Sequence, residues 1–148
     1  MAVIGITGTR KLERGQTKLV IASLRQLAAE EWHVGDAAGV DRLGRMVAFA
    51  EGATLHEYKA GGHEPWQLQE RSKRMVDNLV ARGGTLHAYP NKPCPAGLHP
   101  KRCTSWLGSG TWGTVCYAKS KGVPVELHPL TEDAIAPDWM QQEQLALW

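Results

Sequence analysis

Residues 3–9 read VIGITGT, a short apolar run that closes on Gly8 and Thr9. Apolar residues at successive positions, without polar alternation, fit a strand covered on both faces, as in the middle of a parallel sheet. Just beyond it, TKLVIASLRQLAAEEW (residues 17–32) sets Val20, Leu24 and Leu27 at i, i+4 and i+7, with Lys18, Arg25 and Glu30 elsewhere. That spacing is the stripe of an amphipathic helix. Strand then helix makes one crossover unit, and the pattern recurs. A brief strand at Trp32 to Val34 precedes a helix carrying Val40, Leu43 and Val47. TLHEY (residues 54–58) precedes a helix from Glu64 to about Ala81, with Leu68, Met75, Val76 and Leu79 as its apolar stripe. TLHAYP (residues 85–90) is a fourth strand stopped by Pro90, a helix is predicted over Thr111 to Lys121, and VPVELH (residues 123–128) is a fifth strand.

The alternation predicts an α/β fold, a Rossmann-like three-layer sandwich with a mostly parallel sheet of about five strands and helices on both faces. With 148 residues the chain is the size of one compact domain, expected over residues 1–130, with a C-terminal tail at 131–148 set off by Pro129 and Pro137. Seventeen basic against fifteen acidic side chains leave a net charge of +2, far from a polyanion-binding stripe. No apolar run is long enough for a membrane span, and Cys94, Cys103 and Cys116 form no Cys-x-x-Cys pair, so a soluble protein of a reducing cytoplasm is expected.

In such sheets ligands bind beyond the carboxyl ends of the strands. Three small-residue loops should gather there: TGTR (Thr7 to Arg10), GDAAGVD (Gly35 to Asp41) and GSGTWGT (Gly108 to Thr114). Glycine admits close approach of a ligand to the backbone, and the N–H groups and dipole of a helix N-terminus favour an anion, which makes phosphate the expected ligand group. Ser109, Thr111 and Thr114 add hydroxyls. The spacing is neither a Walker sequence nor a Gly-x-Gly-x-x-Gly fingerprint.

Taken in order, GITGTR, VGDAAGVDRL, ERSKRMVDNL and GSGTWGTVCYAKSKGVPV resemble the SLOG superfamily over about Val3 to Val125. This Rossmann-like group includes the Lonely Guy phosphoribohydrolases, the DNA-processing protein DprA and the small stand-alone YspA- and YpsA-related proteins, the last being most similar. The resemblance implies a nucleotide or nucleotide-derived ligand. Its phosphate would lie on Gly108, Ser109, Gly110, Thr111, Trp112, Gly113 and Thr114 and be contacted by Arg10 and Arg71, with Gly8, Thr9, Gly35, Asp36, Gly39 and Asp41 lining the remainder. It also implies a homodimer, acting as sensor or carrier; no cofactor is expected, and the residue spacing gives no metal site.

Lonely Guy enzymes pair an arginine of the third helix, matched here by Arg71, with a glutamate two residues beyond the Gly-Thr of the phosphate turn, where this chain has Gly113. Were the protein a hydrolase of N-glycosidic bonds, Arg71, Asp36 and Asp41 would be its candidate catalytic residues. Asp41 also suits a helix cap, and Trp106 and Trp112 offer rings to a base or to the core. Cys94, His99 and Cys103 supply three ligand atoms without zinc-type spacing. QLALW at the C-terminus, through Gln144, Leu145, Leu147 and Trp148, resembles a sliding-clamp-binding peptide, which would suit a DNA-processing accessory related to DprA.

Overall fold

The computed structural model describes residues 2–141; the clamp-like residues Gln144, Leu145, Leu147 and Trp148 lie outside them. Five strands alternate with four helices: β1 (Val3–Gly8), α1 (Gln16–Arg25), β2 (Glu31–Gly35), α2 (Val40–Ala50), β3 (Thr54–Tyr58), α3 (Pro65–Arg82), β4 (Thr85–Tyr89), α4 (Gly110–Ser120) and β5 (Val125–Leu127). The strands form one sheet in the order β3-β2-β1-β4-β5, every neighbouring pair parallel. Chain direction across the sheet therefore reverses between β1 and β4, the place where open α/β sheets leave a crevice.

Alternation along each strand separates two cores. Ile4, Ile6, Trp32 and Val34 are buried with Val20 and Leu24 of α1 and Val40, Leu43 and Val47 of α2. Leu86 and Ala88 are buried on the opposite face with Met75, Val76 and Leu79 of α3 and Trp112 and Val115 of α4. Two filled layers of this kind are what give β1 its unbroken apolar run.

Helix boundaries follow local chemistry. Glu64 and Gln67 form a reciprocal capping box before α3, Pro65 takes the first turn, and left-handed Gly83 ends it. β5 is shorter than the expected Val123 to His128, since Pro124 has no N–H to give the ladder. Leu68 is only half-buried and leaves the apolar stripe expected of it. Beyond β5, Ala134 and Met140 are buried, Met140 within the α3/α4 core. No helix among the described residues is long and apolar enough to cross a membrane.

Candidate ligand cleft at the carboxyl edge

At the reversal between β1 and β4 opens a cleft of about 560 Å³. Of the residues expected at a site, it is lined by Gly8, Thr9 and Arg10 after β1, by Asp41 and Arg71 on its floor, and by Gly108, Ser109, Gly110, Thr111 and Trp112 at the start of α4. Gly35, Asp36, Gly39, Gly113 and Thr114 do not line it. Each of these five has a structural occupation instead.

Gly39 holds the first two loops together. Its φ of 70° is left-handed, and a Cβ there would strike Thr9 O and lie 2.7 Å from Arg10 C, so only glycine lets the two backbones cross. Val40 N then donates to Thr9 O at 3.0 Å, and Arg45 Nη1 donates to Gly35 O at 2.6 Å and Ala37 O at 3.1 Å. The floor is thus fixed by a main-chain bond between the two loops and by the Arg45 side chain holding two carbonyls of the second.

Arg71 and the two aspartates make a single charged unit. Arg71 Nη1 donates to Asp36 Oδ1 at 2.8 Å and Nη2 to Ser72 Oγ at 3.2 Å, while Asp36 Oδ2 accepts from Ala60 N at 3.1 Å. Burial works against the Asp36 charge, yet the Arg71 and Ala60 hydrogen bonds win and hold its carboxyl below the usual range. Asp41 accepts from Ala37 N at 3.3 Å, and its Oδ2 would lie 2.6 Å from a Cβ on Gly35, with Arg71 Nε 3.1 Å from the same point. The guanidinium bonds Asp36 directly and acts on Asp41 through its charge alone. Burial pushes the Asp41 carboxyl up to about 6, only partly opposed by Arg71.

This carboxyl sets an expected pH response. Its folded pKa lies above its unfolded value, so the charged form disfavours folding: the group costs stability above about pH 6, and the cost fades as pH falls below it. For an anionic ligand, ionisation of Asp41 through pH 6 adds a repelling charge. Wild type is expected to lose affinity several-fold relative to Asp41→Asn between pH 5 and pH 7 in parallel calorimetric titrations, a comparison that cancels the ligand's own ionisation. Parallel pH curves for the two proteins would remove Asp41 from the binding site.

At the opposite wall, Ser109 caps α4, its hydroxyl accepting from Trp112 N at 3.2 Å. Gly110 and Thr111 are the first two helical residues, positions whose N–H groups have no partner within a helix. The Thr114 hydroxyl instead donates to Gly110 O at 2.7 Å, inside the helix. Trp112 is fully buried and its indole N–H donates to Lys92 O at 2.8 Å. Trp106, whose N–H donates to Cys103 O at 2.9 Å, packs its ring so tightly on Gly113 that any Cβ there would fall inside the indole. Gly113 is therefore the seat of a tryptophan ring.

No protein-family model matches the chain, and no curated protein matches it. Among solved structures it is similar to DNA processing protein A (DprA) from Streptococcus pneumoniae, at 11% identity and a TM-score of 0.49, over 84% of this chain and 58% of that one. The chain thus spans less than two thirds of that protein's length.

Apart from Lys92, which with Lys101 and Arg102 gives the loop after β4 a basic character suited to an anionic ligand, the other lining residues are not singled out by sequence reading. Lys11 and Glu13 extend the β1 loop, Pro65, Leu68, Gln69 and Ser72 present the first turns of α3, and Pro90, Asn91 and Lys92 follow β4. The signal available was Pro90: a strand ended by proline beside the reversal point places the next two residues on the crevice. Asn91 Nδ2 donates to Lys11 O at 3.0 Å and Lys92 Nζ to Gly108 O at 3.5 Å, linking the three walls. Cys94, His99 and Cys103 do not converge: among the described residues they form no group with ligand atoms within 4.8 Å of one another, and His99 Nδ1 accepts from Lys101 N at 3.0 Å.

Proposed function

We propose that the protein binds a nucleotide or nucleotide-derived ligand in this cleft, with the phosphate at the N-terminus of α4. The observation that supports the reading most is the meeting of that helix start with Arg10, an exposed guanidinium on the same cleft with no hydrogen bond or ion pair among the described residues. Lys11 and Lys92 add positive charge on either side, and the hydroxyls of Thr9 and Thr111 lie on the same walls. A preorganised N-terminus and a fork of guanidinium donors are both suited to phosphate oxygens. The remaining length of the cleft, floored by Asp41 and Arg71 and walled by Leu68, takes the nucleoside. The SLOG resemblance points to the same ligand class and to a sensor or carrier role.

Arg10→Ala is expected to weaken binding of a nucleoside monophosphate at least tenfold, about 1.4 kcal/mol, in isothermal titration calorimetry. Because Arg10 is exposed, the fold is untouched by the change. Equal affinities of variant and parent would place the phosphate elsewhere.

A second reading, hydrolysis of an N-glycosidic bond, is favoured by Asp41 alone. It is a buried carboxyl with a pKa near neutrality on the cleft floor, the state from which an acid donates a proton to a departing base. Asp36 is committed to Arg71 and Ala60 and does not line the cleft. Chromatography of each bound nucleotide separates the two readings: recovery intact supports the sensor, whereas free base that disappears in Asp41→Asn supports the hydrolase. Salt-sensitive binding of single-stranded DNA in preference to any mononucleotide would instead support the DNA-processing role.

A further inference from the structure

Away from the cleft, two groups of side chains bring histidine and glutamate together: Glu31, His33 and His56 on the α3 face of β2 and β3, and His87, Glu126 and His128 on the opposite face of β4 and β5. The first is already complete. Glu31 accepts from Nε and Nη2 of the Arg82 guanidinium, and a cation brought to that carboxylate would face a fixed positive charge.

The second has no such occupant. His87 and Glu126 are register partners on adjacent strands, and His128 follows two residues later on the same face. His87 Nδ1 lies 2.9 Å from His128 Nε2 and 3.4 Å from Glu126 Oε2. A tetrahedral zinc ion with bonds of about 2.0–2.2 Å separates its ligand atoms by roughly 3.3–3.5 Å, so a slight parting of the two rings suffices. Glu126 is 64% exposed and His128 half-buried, which leaves the group open to solvent on the side where a water would complete the shell. Tyr89 lies flat against the His128 ring, centroids 4.5 Å apart, and is itself held by Ser23 Oγ at 2.8 Å, so the ring is oriented before any ion arrives.

We propose that His87, Glu126 and His128 form a three-ligand site for a divalent transition metal of the zinc type, which clamps the edge strand β5 to β4. β5 has three residues and, among the described residues, pairs with β4 alone, so a bond across the pair adds most where the sheet is weakest. As the ion binds, the proton lying between the two imidazoles is exchanged to the far nitrogen of its own ring, so that each histidine ligates as a neutral imidazole. The inference does not depend on the nucleotide reading of the cleft.

The test is zinc titration of untagged, chelator-stripped protein against a competing chromophoric chelator. One ion per chain is expected, with a rise in melting temperature, an affinity at least tenfold weaker in Glu126→Gln and no high-affinity binding in His128→Ala. Glu126 is exposed, so its variant keeps the fold and decides the matter should His128→Ala melt early. No binding by the wild type, or unchanged affinity in Glu126→Gln, overturns the proposal. So does a thiolate-to-metal charge-transfer band with cobalt(II), which would put the ion on the cysteines.

Discussion

Gly113→Glu is expected to destabilise the protein strongly rather than to supply the carboxylate of a Lonely Guy-type hydrolase. The Trp106 ring occupies the volume of any side chain at this position, and Trp106 is itself buried and tied by its indole N–H to Cys103. Trp112, one residue earlier on α4, is fully buried and anchored to Lys92, so the helix cannot simply rotate to release the pressure. Overpacking by a single atom at such a contact costs about 1–3 kcal/mol, and burying an unpaired carboxylate adds to it. A loss of about 3 kcal/mol or more is expected, a drop of roughly 6–12 °C in melting temperature followed by circular dichroism. A folded variant melting with the parent would show that Trp106 moves aside freely, and the position would then be open to a catalytic carboxylate.

The second large effect belongs to Glu31. Its side chain is 5% exposed and receives Arg82 through two nitrogens, His33 Nε2 at 3.0 Å and His56 Nε2 at 3.3 Å. His33 continues the chain to the Tyr58 hydroxyl at 2.7 Å, so one carboxylate organises β2, β3 and the end of α3. The Arg82 hydrogen bonds, prevailing over burial and helped by both histidines, hold the carboxyl down at about 2. Glu31→Ala is expected to cost about 3 kcal/mol at pH 7, since it strands several donors at once. The sign of the acid response follows from a depressed pKa: the carboxylate's contribution is fully present above about pH 4.5 and is lost as pH falls towards 2. Urea midpoints of the two proteins should converge between pH 5 and pH 2.5. A gap that stays constant over that range would make the cost one of packing and not of charge.

Much of this architecture is legible in the chain because periodicity reports burial directly. VIGITGT reads as a doubly covered strand, and it is the central one; Val20 with Leu24 and Val40 with Leu43 and Val47 read as helix faces, and they fill one core. Leu68 defeats the same logic. Its spacing to Met75 and Leu79 is that of a core position, but Leu68 lines the cleft and stays half-buried, and periodicity carries no information about where a helix borders an open crevice. The glycine loops announce the crevice without dividing their labour. Nothing in GDAAGVD distinguishes Gly39, which admits a crossing backbone, from Asp41, which faces the cleft, because the distinction depends on contacts with Thr9, Arg10 and Arg71 far away in the chain. The pairing of Trp106 with Gly113 is equally invisible: seven residues and a reversal of direction separate a ring from the space that receives it.

The backbone crossing at Gly39 has a kinetic consequence. With β1, β2 and the start of α2 joined through main-chain atoms, the floor of the cleft has no looser arrangement from which to tighten, and a ligand meets it already shaped. Little ordering cost remains to be met on that side. Association should then proceed at the rate of a simple encounter, and differences among ligands should be expressed almost wholly in how long each one stays. The exposed positions between Asn91 and Leu107, a segment joined to the walls by the side chains of Asn91 and Lys92 and to the core by Leu98 and Trp106, are the part of the rim whose sequence can vary without disturbing the floor. Residence time would be tuned there.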